Sequence, residues 1–235
     1  MILAVLQARM TSARLPGKAM APLRGEPMAW RQVERIRAAR TVSRLIVATS
    51  VEPVDDPLAT YLLSRGQSVL RGAATNLAER FQRSVEAAGA PSHLVRIKGD
   101  SPFVDPAIID ETVRLALSTG AAYASNRVER TYPRGLEVEV VNVDALGASI
   151  ALADPQSAAT RSPLAQIRDR PDLFAHAHHR TPRDLSRLDW RVKTPADFAF
   201  ARAVYDALHP ADPAFGMQDV LDIMQGRQDL ARWAA

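Results

Sequence analysis

Short apolar runs recur through the first part of the chain, and stretches with helical spacing separate them. The runs are rich in β-branched residues and cover 2–6, 45–48, 68–70 and 94–97. Apolar residues repeat every three or four positions in the stretches 27–40, 57–65 and 77–88. Strands that alternate with helices at this spacing form βαβ units. The pattern therefore predicts an α/β fold with a mostly parallel sheet that is covered on both faces.

Two later helices carry clear signals at their ends. Asp105 is a suitable N-cap for a helix over 106–119, because a proline follows it and Gly120 stands where the helix would end. Thr194 and Asp197 have the spacing of a capping box, in an Asp variant, and predict the start of a second helix.

The chain between these two helices has a different texture. Residues 127–143 alternate polar and apolar positions around a Pro-Arg-Gly turn, which predicts a partly exposed, extended insertion. We expect an irregular helix followed by a strand over 154–179, and one or two helices over 211–235. No repeat, linker or low-complexity tract divides the chain, so 1–235 is predicted to be a single domain.

The composition is that of a globular protein, with 47% hydrophobic and 24% charged residues. There is no cysteine, which excludes disulfides, thiolate metal sites and a cysteine nucleophile. The short apolar start does not resemble a signal peptide, and no apolar run approaches the ~20 residues of a membrane helix. We therefore expect a cytoplasmic protein without a membrane partner.

The charge is only mildly basic, at +4 from 30 basic and 26 acidic residues. Acidic and basic residues are interleaved along the whole chain, whereas proteins that bind nucleic acids usually concentrate their basic residues. The balance favours a mixed surface and, for any specific ligand, a small anion. Only Lys18, Lys98 and Lys193 are lysines, so each is a candidate for a place where a compact ammonium is needed.

A basic loop, 7–18, follows the first predicted strand. It lacks the glycines of the Walker and Rossmann phosphate loops, so neither of these common nucleotide sites is present. It carries Arg9, Ser12, Arg14 and Lys18. Two guanidinium groups and an ammonium suit a triphosphate or a pyrophosphate, and a solvated basic loop is the alternative.

A second motif, 97–106, ends a predicted strand with Gly-Asp-Ser-Pro. Asp100 is then expected at the carboxyl edge of the sheet, where α/β proteins bind their ligands. One carboxylate there could hold a Mg²⁺ that also contacts phosphates, and a role in forming the turn is the alternative. His176, His178 and His179 lie on a predicted strand. The spacing of this tract lacks a carboxylate partner, so it is a weak candidate for a metal site.

Five segments together resemble one known family. They read QARMTSARLPGK, RGAATNLAERF, IKGDSPFVDP, SNRVERTYPRGLEVEV and WRVKTPADF. In order and spacing they are similar to the cytidylyltransferases of the spore coat polysaccharide biosynthesis protein F group and, more distantly, to the CMP-KDO and acylneuraminate synthetases. The resemblance covers about 1–208 of this sequence. It implies a three-layer α/β/α nucleotidyltransferase fold of the GT-A-like type.

The resemblance also implies roles for individual residues. Nucleotide binding is expected from Ala8, Arg9, Ser12, Arg14, Lys18, Arg71 and Asn76. Acceptor binding is expected from Tyr132, Arg134 and Glu137. Asp100 matches the metal-binding aspartate, and the catalytic set would be Arg14, Lys18, Asp100 and Lys193. The segment 127–143 would face the acceptor or a partner in a homodimer.

The implied reaction transfers CMP from CTP to an acidic sugar or a phosphonate-type acceptor and releases pyrophosphate, with Mg²⁺ as cofactor. Two departures bear on this expectation. Lys193 stands where the family has a second metal-binding carboxylate, and Ala158-Ala159 replaces another polar motif. Lys193 could stand in for a cation and reduce the need for Mg²⁺. Alternatively, the protein is a non-catalytic homologue that binds a nucleotide or sugar, or a glycosyltransferase with the same fold.

Overall fold

A mixed β-sheet forms the centre of the molecule, in a computed structural model that describes residues 1–152, 163–227 and 230. The nine strands of the described residues are β1 (Ile2–Gln7), β2 (Pro22–Leu23), β3 (Glu26–Pro27), β4 (Arg44–Ser50), β5 (Val69–Gly72), β6 (His93–Lys98), β7 (Tyr123–Ser125), β8 (Glu139–Asn142) and β9 (His176–His178). Seven of them form the main sheet in the order β5-β4-β1-β6-β8-β7-β9, and β2 pairs with β3 in a small hairpin. Only β8 runs antiparallel to its neighbours in this sheet.

Helices cover both faces of the sheet. Within the described residues they are α1 (Met28–Arg37), α2 (Asp56–Ser64), α3 (Leu77–Ala88), α4 (Pro106–Thr119), α5 (Val143–Leu152), α6 (Pro163–Asp169), α7 (Pro195–Leu208) and α8 (Met217–Gly226). Two 3₁₀ turns, Lys18–Met20 and Pro53–Asp55, lie in the loops after β1 and β4.

Alternate residues of β1 enter two different cores. Ala4 and Leu6 face a large core that is closed by α1, α4, α7 and α8. Leu3 and Val5 face a smaller core under α3, α5 and α6. This alternation is the period-two pattern of a strand buried on both faces. The predicted three-layer α/β/α fold is confirmed.

The predicted helix ends hold where a cap fixes them. The carboxylate of Asp105 accepts a hydrogen bond of 2.8 Å from the backbone N–H of Ala107, and Gly120 ends α4 in the left-handed conformation with φ 64°. The side chain of Thr194 accepts from the backbone N–H of Asp197, and the carboxylate of Asp197 accepts in return from the N–H of Thr194. Of the one or two helices predicted over 211–235, α8 lies within the described residues. The pair Ala158-Ala159, which the sequence analysis names as a departure from the family, lies outside the described residues.

The predicted exposure of 127–143 is wrong for its second half. β8 lies inside the sheet between β6 and β7, where Val140 and Val141 are fully buried. The alternation of charged and apolar residues predicts a strand with one solvent-exposed face, but Glu137 and Glu139 are buried as well. Arginine side chains neutralise both carboxylates inside the protein.

Glu139 is the centre of this buried charge network. Its carboxylate accepts hydrogen bonds from Arg96 at 2.6 Å, from Arg127 at 3.3 Å and from the hydroxyl of Tyr123 at 2.8 Å. Burial alone would raise the pKa of Glu139, but the two guanidinium groups and the tyrosine hold it at about 2. The carboxylate therefore stays ionised in the core.

We predict that Glu139→Gln destabilises the protein in a pH-dependent way. The pKa of Glu139 is depressed in the folded state, so its contribution is complete above the unfolded value of 4.5 and disappears as the pH falls towards 2. The shift corresponds to a loss on the order of 3 kcal/mol at pH 7. Urea unfolding at pH 7 and pH 3 measures it, and the loss should be smaller at pH 3.

Glu129→Gln is the matched control for this experiment. Glu129 is partly exposed and pairs with Arg180 at 2.8 Å, so its removal should cost at most about 1 kcal/mol. An equal loss for Glu139→Gln at both pH values would contradict the assignment, because the effect would then come from packing and not from the charge.

Candidate active site

A basic cleft lies at the carboxyl edge of the sheet. β1, β4, β5 and β6 run parallel, so the loops that follow them meet at this edge. The cleft has a volume of about 480 Å³. Its lining includes five cationic side chains, Arg9, Lys18, Arg80, Arg96 and Lys98. Asp100 is the one carboxylate among the lining residues that the structure describes. The cleft is therefore built for an anion with several charges.

The floor of the cleft depends on a close approach of β1 and β6. The N–H of Gly99 donates to the carbonyl of Gln7 at 2.8 Å. A Cβ atom at Gly99 would lie 2.5 Å from that same oxygen, so no larger residue fits without moving the backbone. This contact places Asp100 directly beside the start of the basic loop.

The basic loop is held in a fixed path. The N–H of Gly17 closes the loop by donating to the carbonyl of Met10 at 2.9 Å, and Gly17 has the left-handed φ of 75°. The N–H of Met10 donates to the buried carboxylate of Asp55 at 2.6 Å. Asp55 also accepts from the N–H of Ser50, at the end of β4. These hydrogen bonds fix the path of the loop backbone, and the binding of a phosphate by its side chains stays a prediction.

Lys18 connects the basic loop to the segment before α7. Its ammonium donates to the carbonyl of Val192 at 2.7 Å. Burial lowers the pKa of Lys18, while the nearby Asp100 acts in the opposite direction. Arg14 is exposed on the same loop and adds to the lowering. Ser12 lines the cleft beside these groups.

Lys193 pairs with a carboxylate other than Asp100. Its ammonium lies 2.7 Å from Asp189, which also holds Arg191 at 2.5 Å. Burial would raise the pKa of Asp189, but the hydrogen bonds from Arg191 and Lys193 hold it well below its ordinary value. Lys193 is therefore held by an acid of the same segment, which it shares with Arg191.

The carboxylates near the cleft do not form a metal site by themselves. No group of three or more His, Asp or Glu side chains suited to a metal ion occurs in the residues that the structure describes. Asp197 is engaged by the backbone N–H groups of Lys193 and Thr194. Asp100 is left as one oxygen ligand, which fits a divalent ion that takes its other ligands from phosphates and water.

The other predicted nucleotide-binding residues lie around the cleft without lining it. Arg71 forms an ion pair of 2.5 Å with Asp56 and donates to the carbonyl of Ser50 at 2.9 Å. Asn76 caps α3, and its side chain accepts from the N–H of Glu79. Ala8 is buried at the end of β1. Their contact with a nucleotide stays a prediction.

The three predicted acceptor residues lie outside the cleft as well. The hydroxyl of Tyr132 is 2.9 Å from His179, beside a different cavity near the start of α4. Arg134 has an exposed side chain. Glu137 is buried, and accepts from Arg130 at 2.9 Å and from the N–H of Gly135 at 2.7 Å. The geometry thus gives Glu137 a structural partner, and an acceptor contact by these residues stays a prediction.

The sequence motifs do not indicate two cationic residues of the cleft, Arg80 and Arg96, and Lys98 is noted only as one of the three lysines. Arg96 and Lys98 project from β6, and Arg80 projects from α3. Arg80 could have been found, because it lies among the buried positions of an amphipathic helix, next to Phe81 and one turn from Leu77. Burial lowers the pKa of Lys98, with Arg127 and Arg96 acting in the same direction. A charged residue on the buried face of a helix, as Arg80 is on α3, needs a partner.

The histidine tract lies on β9 and beyond it, away from the cleft. His176 and His178 share one side of the strand, with ring centroids 5.9 Å apart. The expected lack of a carboxylate partner is wrong for two of the histidines, because the fold brings in acids from distant segments. His178 lies 3.6 Å from Glu129, and His179 lies 3.2 Å from Glu111. None of the helices in the described part of the chain has the length and apolarity needed to cross a membrane.

Comparisons with known proteins identify the family of this chain. A family model described as cytidylyltransferase matches residues 3–199. The spore coat polysaccharide biosynthesis protein SpsF of Bacillus subtilis is 30% identical over 214 residues, which cover 87% of this chain and 86% of that protein. A 3-deoxy-manno-octulosonate cytidylyltransferase of Geobacter sulfurreducens is 36% identical over 115 residues, 48% of this chain and 44% of that protein.

Solved structures share the fold. A cytidylyltransferase from Leptospira borgpetersenii superposes with a TM-score of 0.89 at 23% identity, covering 96% of this chain and 94% of that one. A CMP:2-keto-3-deoxy-manno-octonic acid synthetase in complex with CTP has a TM-score of 0.61 at 16% identity, covering 87% and 98%. The match of the family model over most of the chain decides the family. This chain belongs to the cytidylyltransferase family.

Proposed function

We propose that this enzyme transfers CMP from CTP to an acidic sugar or a phosphonate-type acceptor and releases pyrophosphate. The single observation that supports this most is the cleft itself, which is lined by five cations and one carboxylate beside the basic loop. Such an excess of positive charge suits a triphosphate together with an anionic acceptor. The name of the related 3-deoxy-manno-octulosonate cytidylyltransferase specifies an acidic sugar, which supports an acidic acceptor for this enzyme as well.

In the proposed reaction, an acceptor oxygen attacks the α-phosphorus of CTP in line. The new oxygen–phosphorus bond forms as the bond to the β-phosphate breaks, and the proton of the acceptor hydroxyl is lost to solvent. The protein mainly positions the two substrates and neutralises the charge on the departing pyrophosphate. Arg9, Ser12, Arg14 and Lys18 are proposed to contact the phosphates, because they lie on the loop that borders the cleft.

Asp100 is proposed to hold Mg²⁺ together with the phosphates. The ion would add charge neutralisation that supports pyrophosphate departure. Lys193 is a positioning residue in this proposal, because with Asp189 it fixes the segment whose Val192 carbonyl receives Lys18. The many cations of the cleft are expected to bind CTP even without Mg²⁺.

Membership of the cytidylyltransferase family favours this reaction over a glycosyltransferase or a non-catalytic homologue. The retained basic loop speaks for nucleotide binding. The predicted homodimer is checked by light scattering, and its interface would have to use surface other than the buried strand β8. A cytoplasmic location is consistent with CTP as substrate.

We predict that CTP raises the thermal unfolding midpoint more than UTP, ATP or GTP, and does so in EDTA. A ligand at ~100 times its dissociation constant stabilises the folded state by roughly 2.7 kcal/mol, which amounts to ~5–11 °C at this size. Differential scanning fluorimetry with each nucleotide, with EDTA or with Mg²⁺, measures it. If no nucleotide shifts the midpoint, the proposed function fails.

We predict that Lys18→Met weakens CTP binding by about tenfold or more, since it removes one charge-assisted contact to a phosphate. Isothermal titration calorimetry with CTP measures the affinity. Arg202→Met is the matched control, because Arg202 is exposed on α7 and does not line the cleft. An affinity for CTP that is the same in both variants would show that the loop does not hold the triphosphate.

A further inference from the structure

The cations of the cleft differ in whether the protein already provides them with a partner. Arg9 donates to the carbonyl of Ala74 at 3.1 Å, and Lys18 donates to the carbonyl of Val192. Arg96 is paired with Gln7 and Glu139. Among the described residues, no hydrogen bond and no ion pair reaches the ammonium of Lys98. Two of the three guanidinium nitrogens of Arg80, Nε and Nη1, are buried and have no hydrogen-bond partner among the described residues.

Arg80 is enclosed by the protein, although it faces the cleft. Only 5% of its surface is exposed. Gly72 makes room for its side chain, because a Cβ atom at Gly72 would lie 2.7 Å from Cγ of Arg80. Buried guanidinium nitrogens that have no hydrogen-bond partner destabilise the protein. Such a group is expected where a ligand supplies the missing partner.

The carboxylates near these two cations are already used by other groups. Asp55, next to Arg80, accepts from Met10 and Ser50, and Glu79 pairs with Arg83 at 3.4 Å.

The same holds on the side of Lys98. Glu137 is paired with Arg130, and Glu139 is paired with Arg96 and Arg127. The acids near Arg80 and Lys98 are therefore engaged by other groups, and these two cations are left to the cleft.

Arg80 and Lys98 also lie apart from the basic loop along the chain and in the fold. One projects from α3 and the other from β6, and both line the same cavity of about 480 Å³ as the loop residues. We propose that Arg80 and Lys98 form a second anion site, which binds the carboxylate or phosphonate of the acceptor while the basic loop binds the triphosphate. This inference rests on the proposed function, and it assigns the choice of an acidic acceptor to two named residues.

The second anion site explains how a neutral sugar would be rejected. A neutral acceptor in the cleft would leave both cations unpaired and shut off from water. Sites with buried polar groups discriminate strongly against ligands that cannot pair with them. Specificity for acidic acceptors then has two sources. A neutral acceptor leaves the two cations without a partner, which costs free energy, and an acidic acceptor is attracted to them.

The test asks whether the protein still binds a small anion when CTP fills the loop. The midpoint of unfolding of CTP-saturated protein is followed in EDTA while acetate or inorganic phosphate is added, with chloride at equal ionic strength as baseline. We expect acetate, phosphate or both to raise the midpoint beyond chloride. Acetate alone would indicate a carboxylate site, and phosphate alone a phosphonate-type site.

The variants Arg80→Gln and Lys98→Gln should each raise the anion concentration for half-maximal shift by about tenfold, with CTP affinity changed less than about threefold. Arg83→Gln is the matched control, because Arg83 lies on the same helix, is exposed and does not line the cleft. Ligand-free Arg80→Gln should unfold at the same or a higher temperature, since it loses an unpaired buried charge.

Three results would overturn the proposal. They are the absence of an anion effect beyond chloride in CTP-saturated protein, an unchanged anion response in both variants, and a loss of CTP affinity in the variants that matches the loss of anion binding. The last would assign both cations to the nucleotide. If CTP does not bind at all, the proposed function fails, and the same anion titration of nucleotide-free protein still decides whether Arg80 and Lys98 form an anion site.

Discussion

The close contact between the ends of β1 and β6 is the constraint on which the site depends. Gly99 approaches the carbonyl of Gln7 so tightly that a Cβ atom would collide with it. The parallel pairing of these two strands brings the basic loop and Asp100 to the same edge of the sheet. Because the two chain segments diverge only after this contact, the space between them becomes the cleft. A phosphate group placed there would meet cations from one strand end and a carboxylate from the next.

Charge balance decides which groups of the cleft remain available to ligands. The buried acids behind the cleft are matched by arginines, as Glu139 is by Arg96 and Arg127. Asp189 in turn is matched by Arg191 and Lys193. These ion pairs neutralise the acids inside the protein and hold the walls of the cleft in place. What is left over is positive, and it faces the cavity. A cleft of this kind binds anions without first breaking an ion pair of its own.

The sequence predicts the parts of this structure that local rules control. The bounds of α4 follow from the cap at Asp105 and the left-handed Gly120, and the parallel sheet follows from the alternation of strands and helices. The burial of β8 could not be predicted, because the alternation of charged and apolar residues is the same for a half-exposed strand and for one whose glutamates meet arginines. Partners such as Asp55 for the basic loop depend on contacts between distant segments. The same is true of Arg80. Its position on the apolar face of a helix can be recognised in the sequence, but the cavity that it lines is formed only when distant segments fold together.

The partners of the loop cations suggest how the site is prepared for a triphosphate. Arg9 and Lys18 both donate to backbone carbonyls, which are neutral acceptors. A phosphate oxygen carries charge and is the stronger acceptor, so it can displace a carbonyl at little cost. Had these side chains been paired with carboxylates, binding would first have to separate opposite charges in a partly buried site. The carbonyls thus hold the two side chains in the direction of the cleft without competing strongly with the ligand. Arg80 and Lys98 have no such temporary partner among the described residues, which is why their occupancy is expected to respond most sharply to the charge of the molecule that enters.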